Sequence, residues 1–448
     1  MQCVALGILF ALAFGAEVAI AGTQSTTWEF MHWRTDIIVP VGLRFAPDGR
    51  LFYIELWTGR IRVYADTAAA TPTIWSVVPV ATQNDRGLLG IAFHPAFPDS
   101  PYVYFFHTNP SPLVNRVVRL TDQAGIGTNY TVIVDNLPSI SGKHDGGRIT
   151  FGPDGMLYVT YGDNYDPAYA PDPSDVRGKI LRYTPMGEPA PGNPFGEGNP
   201  VFAKGVRNSF GICFDPLDGC AYFTDNGTNC EDEVNMLAAG ADYGWCPTFY
   251  CGTHTPGSTD AIVRITPTIG MTGACVVRGS RYPELEGNLL FGGFNDGHLR
   301  RTVFTGPGIP LFTMKLALQN GNGMVLDVTV GPDGEIWAGG PGSIMRLYPV
   351  EENTTGVGDP PPTRGMTAAP NPFSASVALR CPSGTVLERL EVLDLGGRRV
   401  RRWNGPPGEA AVWDGRDDHG RVAPAGVYLV RGAAAGRTFE SRVVKLAR

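Results

Sequence analysis

Short runs in which apolar and polar residues alternate recur through residues 27–350, and the same turn joins them in pairs. Leu43-Arg-Phe-Ala-Pro-Asp48-Gly49-Arg-Leu-Phe-Tyr-Ile is one copy, Ile149-Thr-Phe-Gly-Pro-Asp154-Gly155-Met-Leu-Tyr-Val a second and Val328-Thr-Val-Gly-Pro-Asp333-Gly334-Glu-Ile-Trp a third. Weaker copies stand at Ile91-Ala-Phe-His-Pro, Ile212-Cys-Phe-Asp-Pro-Leu-Asp-Gly-Cys-Ala-Tyr-Phe and Gly287-Asn-Leu-Leu-Phe-Gly-Gly. A period of two marks strands, and the Pro-Asp-Gly turn makes each pair a hairpin. A further strand follows several copies, as in Gly59-Arg-Ile-Arg-Val-Tyr and Gly178-Lys-Ile-Leu-Arg-Tyr. A hairpin cannot bury both of its faces alone. Repeats spaced by about 50 residues solve this by packing radially, so an all-β, six-bladed β-propeller is expected over residues 27–350.

Residues 351–366 break the pattern. They run Glu-Glu-Asn-Thr-Thr-Gly-Val-Gly-Asp-Pro-Pro-Pro-Thr-Arg-Gly-Met and read as a linker. Alternation returns at 386–395 and in Gly426-Val-Tyr-Leu-Val, which predicts a small β-sandwich over 367–448.

Composition narrows the class. The chain has 448 residues with 58 Gly and 38 Pro, yet 43% hydrophobic and 10% aromatic residues, too apolar for a disordered chain. The net charge of -7 offers no basic face, which sets nucleic acid aside as a partner. The apolar run Val4–Ala16 and the small-residue site Ala19-Ile20-Ala21 read as a signal peptide over 1–21, although a basic start is missing. The run is short for a membrane span. A secreted protein (periplasmic, cell-surface or extracellular) is therefore expected, with no membrane span after cleavage.

Export makes disulfides plausible. Cys213, Cys220, Cys230, Cys246, Cys251 and Cys275 crowd one region, with Cys381 apart. Cys213 and Cys220 flank a turn and would face each other across a hairpin, while Cys246 and Cys251 would close a short loop. Zinc is the rival reading, but the spacing matches none of the usual ligand pairs.

Three segments carry candidate chemistry. Gly142-Lys143-His144-Asp145-Gly146-Gly147-Arg148 is a Gly-rich loop entering a strand, able to present an imidazole to a ligand or to tie it up within a turn. Lys204-Gly-Val-Arg207-Asn208 offers a planar cation beside an amide, suited to a carbonyl or carboxylate, or to an ion pair within a blade. Asp225-Asn-Gly227-Thr228-Asn-Cys-Glu231-Asp232-Glu233, followed by Tyr243-Gly-Trp245, is rich in hard oxygen donors of the kind Ca²⁺ takes. A solvated acidic loop is the plainer reading. Asp163-Asn-Tyr-Asp166 is a weaker version of the same kind.

Together these segments resemble the soluble quinoprotein glucose/sorbosone dehydrogenases, a family of PQQ-dependent aldose sugar dehydrogenases. The likeness runs in order through Arg86-Gly-Leu-Leu-Gly-Ile-Ala-Phe-His-Pro95, His144-Asp-Gly-Gly-Arg148, Gly192-Asn-Pro-Phe195, Val206-Arg-Asn208, and Asp232-Glu-Val-Asn with Tyr243-Gly-Trp245. The resemblance implies a six-bladed propeller with pyrroloquinoline quinone (PQQ) on its axis, oxidising an aldose at C1 to the lactone and passing electrons to an unidentified acceptor. It implies that His144 takes the sugar hydroxyl proton and that Arg207 and Asn208 polarise the quinone. It also implies a Ca²⁺ site from Gly227, Thr228, Glu233 and Tyr243, partly through backbone carbonyls.

The sequence departs from the family's pattern. Asp85 stands where the family has a Gln beside the base, and Lys143 where it has an Asp, both at expected cofactor-binding positions. The family's three cations for the PQQ carboxylates fall at Asp296, Met324 and Leu326. Lys143 or Arg148 would have to compensate. The alternative is a non-catalytic propeller of the same lineage that binds a glycan or protein, as in the hedgehog-interacting ectodomains. A calcium-dependent propeller hydrolase is a third option. The tail resembles immunoglobulin-like C-terminal domains of the flagellar-hook-cap and type IX sorting type, through Asn371-Pro-Phe373, Val392-Leu-Asp-Leu-Gly-Gly-Arg398, Trp413-Asp-Gly-Arg-Asp-Asp-His-Gly420 and Pro424-Ala-Gly-Val-Tyr428. That implies a sorting or anchoring role, with secretion machinery or the cell surface as partner.

Overall fold

The Pro-Asp-Gly turns explain why the repeats fold as they do. In the first copy the Gly49 amide donates to the Ala46 carbonyl, the Ala46 amide donates to the Arg50 carbonyl, and Gly49 sits at φ +91°. Gly152 to Met156 and Gly331 to Glu335 repeat both bonds, with Gly155 at +74° and Gly334 at +76°. Proline presets the first turn residue and glycine accepts the left-handed one. The aspartate between them caps the turn: Asp48, Asp154 and Asp333 each accept the amide two residues on.

The computed structural model describes residues 27–318, 323–350, 367–369, 373, 375–380, 388–394, 398–403, 410–424, 426–434 and 437–445. The expected signal peptide, the linker, Cys381 and Asn371-Pro372 lie outside these residues. The chain forms two compact units, Met1–Glu351 and Glu352–Arg448.

The first unit is a propeller of six four-stranded antiparallel sheets. Blade 1 runs from Pro40–Phe45 to Thr73–Val77, blade 2 from Leu88–Phe93 to Ile126–Pro138, and blade 3 from Ile149–Phe151 to Val201–Lys204. Blade 4 runs from Gly211–Phe214 to Val263–Ile265 and blade 5 from Met271–Val276 to Ile309–Leu318. Blade 6 takes three strands from Asp327–Val330 through Gly342–Val350, and its fourth, Thr27–Ile37, from the start of the unit. Thr27 pairs with Val350 and Ile37 with Gly342, which closes the ring. The first strand of each blade packs against that of the next, and the sixth against the first.

A separate apolar core lies in each of the six seams, between blades 1 and 2, 2 and 3, 3 and 4, 4 and 5, 5 and 6, and 6 and 1. At the 6–1 seam Trp337 is fully buried, its ring 4.9 Å from Trp33 and 5.4 Å from Phe45. Among the described residues the one helical turn is Pro283–Leu285, and no helix is long and apolar enough to cross a membrane.

The second unit is two sheets, of three and four strands, with Phe373, Leu379, Val392, Trp413, Tyr428 and Val430 in one core. The tail is thus all-β, as expected. The cysteine pairing is a correction. Cys230 bonds Cys251, while Cys213 and Cys246 keep free thiols. Hairpin register sets Cys213 opposite Tyr222, not Cys220.

Because Trp337 fills the closing seam, Trp337→Ala is expected to cost about 3–5 kcal/mol in urea unfolding. A chain lacking residues 27–37 should unfold at lower urea than the full ring.

Candidate functional site

His144 lies in the loop between blades 2 and 3, at φ +58° with Gly146 and Gly147 also left-handed. A side chain on Gly147 would run into Phe106 and Leu89, so the loop lies close on blade 2. Asp85 and Arg86 stitch it down. The Asp85 carboxylate accepts the His144 amide at 2.8 Å, and the Arg86 guanidinium donates to Ser139.

The His144 ring Nδ1 meets the Asp163 carboxylate at 2.6 Å. Asp163 is buried and also accepts the Tyr165 amide and the Trp245 indole N–H, both at 2.7 Å. A carboxylate partner selects the tautomer with the proton on Nδ1, and in that neutral tautomer Nε2 carries the lone pair. No protein group bonds Nε2 among the described residues. This is the arrangement of a positioned base: an acceptor nitrogen, oriented by a third group. The Tyr165 ring stands edge-on to the imidazole at 5.1 Å, and the exposed Lys143 ammonium lies 4.8 Å from the Tyr165 ring centre.

One buried carboxylate positions Arg207 and Asn208. Asp225 accepts the Arg207 amide at 2.8 Å and the Asn208 amide at 2.6 Å, and the Arg207 carbonyl accepts the Asp163 amide. The two functional loops are thereby joined. Burial pushes Asp225 up to about 7 against these two amides, and pushes Asp145, beside His144, up to about 6. The Arg207 guanidinium donates to the carbonyls of Asn226 and Gly227 and lies 5.3 Å from the Trp245 ring. The Asn208 side chain has no hydrogen-bond partner among the described residues, and its Oδ1 is an orphaned buried acceptor.

A well of about 820 Å³ opens beside this polar edge, lined by residues from blades 1, 2, 5 and 6 and by the loops entering blades 3 and 4. Asp85 and Asn208 line it, as do Met324 and Leu326; His144, Arg207, Lys143 and Asp296 do not. Asp296 turns to the Arg300 guanidinium, while its neighbour Phe294 reaches the wall. Burial lowers the pKa of Arg148, the one cation among the lining residues, against the pull of Asp327. Its guanidinium donates to the carbonyls of Phe210, Leu89 and Leu326.

The expected calcium ligands are engaged with protein partners. The Gly227 carbonyl is taken by Arg207, and Thr228 bonds Asn229. Glu233 faces Arg264 and Asn235, and burial raises its pKa. The Tyr243 hydroxyl donates to the Met236 carbonyl, with its ring against Phe223 inside the blade. Among the described residues no three His, Cys, Asp or Glu side chains cluster as a metal site. With these oxygens engaged, the side chains of this set offer no ready calcium cradle.

A six-bladed ring with an imidazole–carboxylate pair beside its well is the architecture of a sugar-dehydrogenase-type propeller. The glucose/sorbosone dehydrogenase pattern matches residues 37–346, and the chain belongs to that family. It is 25% identical to an aldose sugar dehydrogenase of Escherichia coli over 66% of this chain and 86% of that one. A glucose dehydrogenase of Thermus thermophilus is 33% identical with a TM-score of 0.64, covering 72% of this chain and all of that one. The PQQ-bound aldose sugar dehydrogenase of Streptomyces coelicolor is 27% identical with a TM-score of 0.63, covering 72% and 98%.

PQQ carries three carboxylates, and this well does not fit them. Arg148 is the one cation of the wall and has three of its five N–H groups on backbone carbonyls, Lys143 is outside on Tyr165, and Asp85 adds a like charge. A buried charge without a partner is strongly disfavoured.

Sequence reasoning had Asp163 only as a weak metal loop and Trp245 only as part of a motif. Their signal was composition, whereas their role comes from a contact between blades. Phe294 and Trp57, both on the wall, were missed.

Asp163→Asn should free the His144 ring to place its proton on either nitrogen. Nitrogen NMR of the imidazole should show an Nε2–H population that the parent lacks. An acid held above its unfolded pKa binds its proton more tightly when folded. Asp225 and Asp145 therefore favour the fold below about pH 4. That contribution is lost as pH rises toward about 6 for Asp145 and about 7 for Asp225. The urea midpoint should fall between pH 5 and 7, where the carboxylates with lowered pKa are already ionised.

Proposed function

We propose that this chain is a sugar-binding propeller of the glucose/sorbosone dehydrogenase family that keeps the family's base but not its quinone. The observation that carries this is the lining of the well: Arg148 is its one cation and gives three of its five N–H donors to carbonyls, while Asp85 adds a carboxylate. A charge-assisted hydrogen bond contributes about 1.5–3 kcal/mol, so a trianion that finds none loses several. A sugar hydroxyl carries no such requirement. It donates to His144 Nε2, while Asp163 and Trp245 hold the ring in place. The Asn208 amide, without a hydrogen-bond partner among the described residues, is a second contact for the ligand. The signal-like start at 1–21 and the immunoglobulin-like tail support a site of action outside the cytoplasm, with the tail as an anchoring or sorting module.

The second reading is oxidation of an aldose at C1 to the lactone, with PQQ as hydride acceptor and Ca²⁺ beside it. The His144–Asp163 pair favours it, together with Arg207 and Asn208 at the family's positions. In that reading PQQ supplies the hydride-accepting carbonyl and His144 takes the hydroxyl proton.

The full chain is to be incubated with PQQ and Ca²⁺, dialysed, and assayed for quinone absorbance and aldose-dependent dye reduction. Neither is expected. Calorimetry should show aldose binding that weakens about tenfold in His144→Ala, the scale of one hydrogen bond. Retained quinone with dye reduction that His144→Ala abolishes would establish the second reading instead.

A further inference from the structure

Apart from its single polar edge, the well is apolar. Leu56, Trp57, Phe210, Phe294, Met324 and Leu326 reach it from blades 1, 5 and 6 and from the loop entering blade 4. Two of these are large aromatic side chains left open. Trp57 is 50% exposed and Phe294 44%, whereas Phe52 and Phe291 on the strands just before them are fully buried. Neither Trp57 nor Phe294 has an aromatic ring partner among the described residues. Two exposed rings on the wall of one cavity, over a floor that includes Met324 and Leu326, form an apolar receptacle. An exposed apolar surface of this kind marks a binding site more often than a scattered surface residue does.

Charge narrows the occupant. Arg148 is the one cation among the lining residues; it gives three of its five N–H donors to carbonyls and lies 3.9 Å from Asp327, so little of its charge is left for an anion with several carboxylates. Asp85 repels one. Asn208, 6% exposed and with its side-chain amide unpartnered among the described residues, offers a neutral polar contact on the same wall. The well of about 820 Å³ lies in the range that holds a ligand of drug size, larger than one sugar ring needs.

We propose that the well takes a neutral glycoside with an aromatic aglycone. The sugar lies at the polar edge formed by Asn208 and Asp85, toward the His144 loop, and the aryl ring lies against Trp57, Phe294, Met324 and Leu326. This deepens the sugar-binding reading and rests on it. The aryl ring occupies the apolar space that a quinone tricarboxylate would need lined with cations.

Calorimetry with phenyl β-D-glucoside, methyl β-D-glucoside and PQQ tests this on the full chain. Phenyl glucoside should bind at least tenfold tighter than methyl glucoside. Trp57→Ala and Phe294→Ala should remove most of that difference while leaving the methyl glucoside affinity unchanged, since neither ring supports the fold. Met324→Arg, at the partly buried one of the two positions Met324 and Leu326, should weaken the phenyl glucoside and bring PQQ into measurable range, with a retained cooperative melting transition showing that the ring is intact. Equal affinity for the two glucosides would overturn the aryl assignment and leave sugar binding standing. Tight PQQ binding by the unsubstituted chain would overturn both, as would failure to bind either glucoside.

Discussion

The seams between blades are the constraint from which everything else follows. Each innermost strand has two neighbours across the ring, and a blade that lost one would expose an entire apolar face. Geometry must therefore close, and it closes at blade 6, where a strand from residues 27–37 completes a sheet begun some three hundred residues later. Once the ring is shut, the loops at one end of the blades point inward at fixed positions. That places the loop entering blade 3 beside the loop entering blade 4, so that one aspartate serves both, by its carboxylate on one side and its backbone amide on the other. Asp163 holds the imidazole while its own amide bonds the Arg207 carbonyl.

Much of this architecture was legible in the chain. The turn with Pro, Asp and a left-handed Gly announces itself because only those residues satisfy that backbone cheaply, and the six repeats match the inner hairpins of the six blades. The closing strand was less visible. Thr27–Ile37 is largely exposed and alternates poorly, and its partner is remote in sequence. The cysteines failed for a related reason. Proximity in sequence suggested Cys213 with Cys220, yet hairpin register decides which side chains meet, and the bond formed joins two loops instead.

The site divides along the same line. His144 could be nominated from its glycine-rich loop, since backbone demands leave a local trace. Its orientation could not, because Asp163 and Trp245 reach it from other segments of chain. The resemblance implied a cation position at Asp296; the structure turns that side chain to Arg300 four residues away and has Phe294 on the wall. The wall of the pocket is thus mostly hydrocarbon, while the loops around it are held by hydrogen bonds.

The covalent link between Cys230 and Cys251 ties the acidic turn of blade 4 to the excursion that runs from Gly244 toward the blade's last strand. That excursion begins with the indole whose N–H steadies Asp163. A chain made where thiols stay reduced would therefore build the same ring of blades around a less firmly tethered tryptophan. Its histidine would swing more widely, so the compartment in which the polypeptide matures sets how sharply the site is tuned.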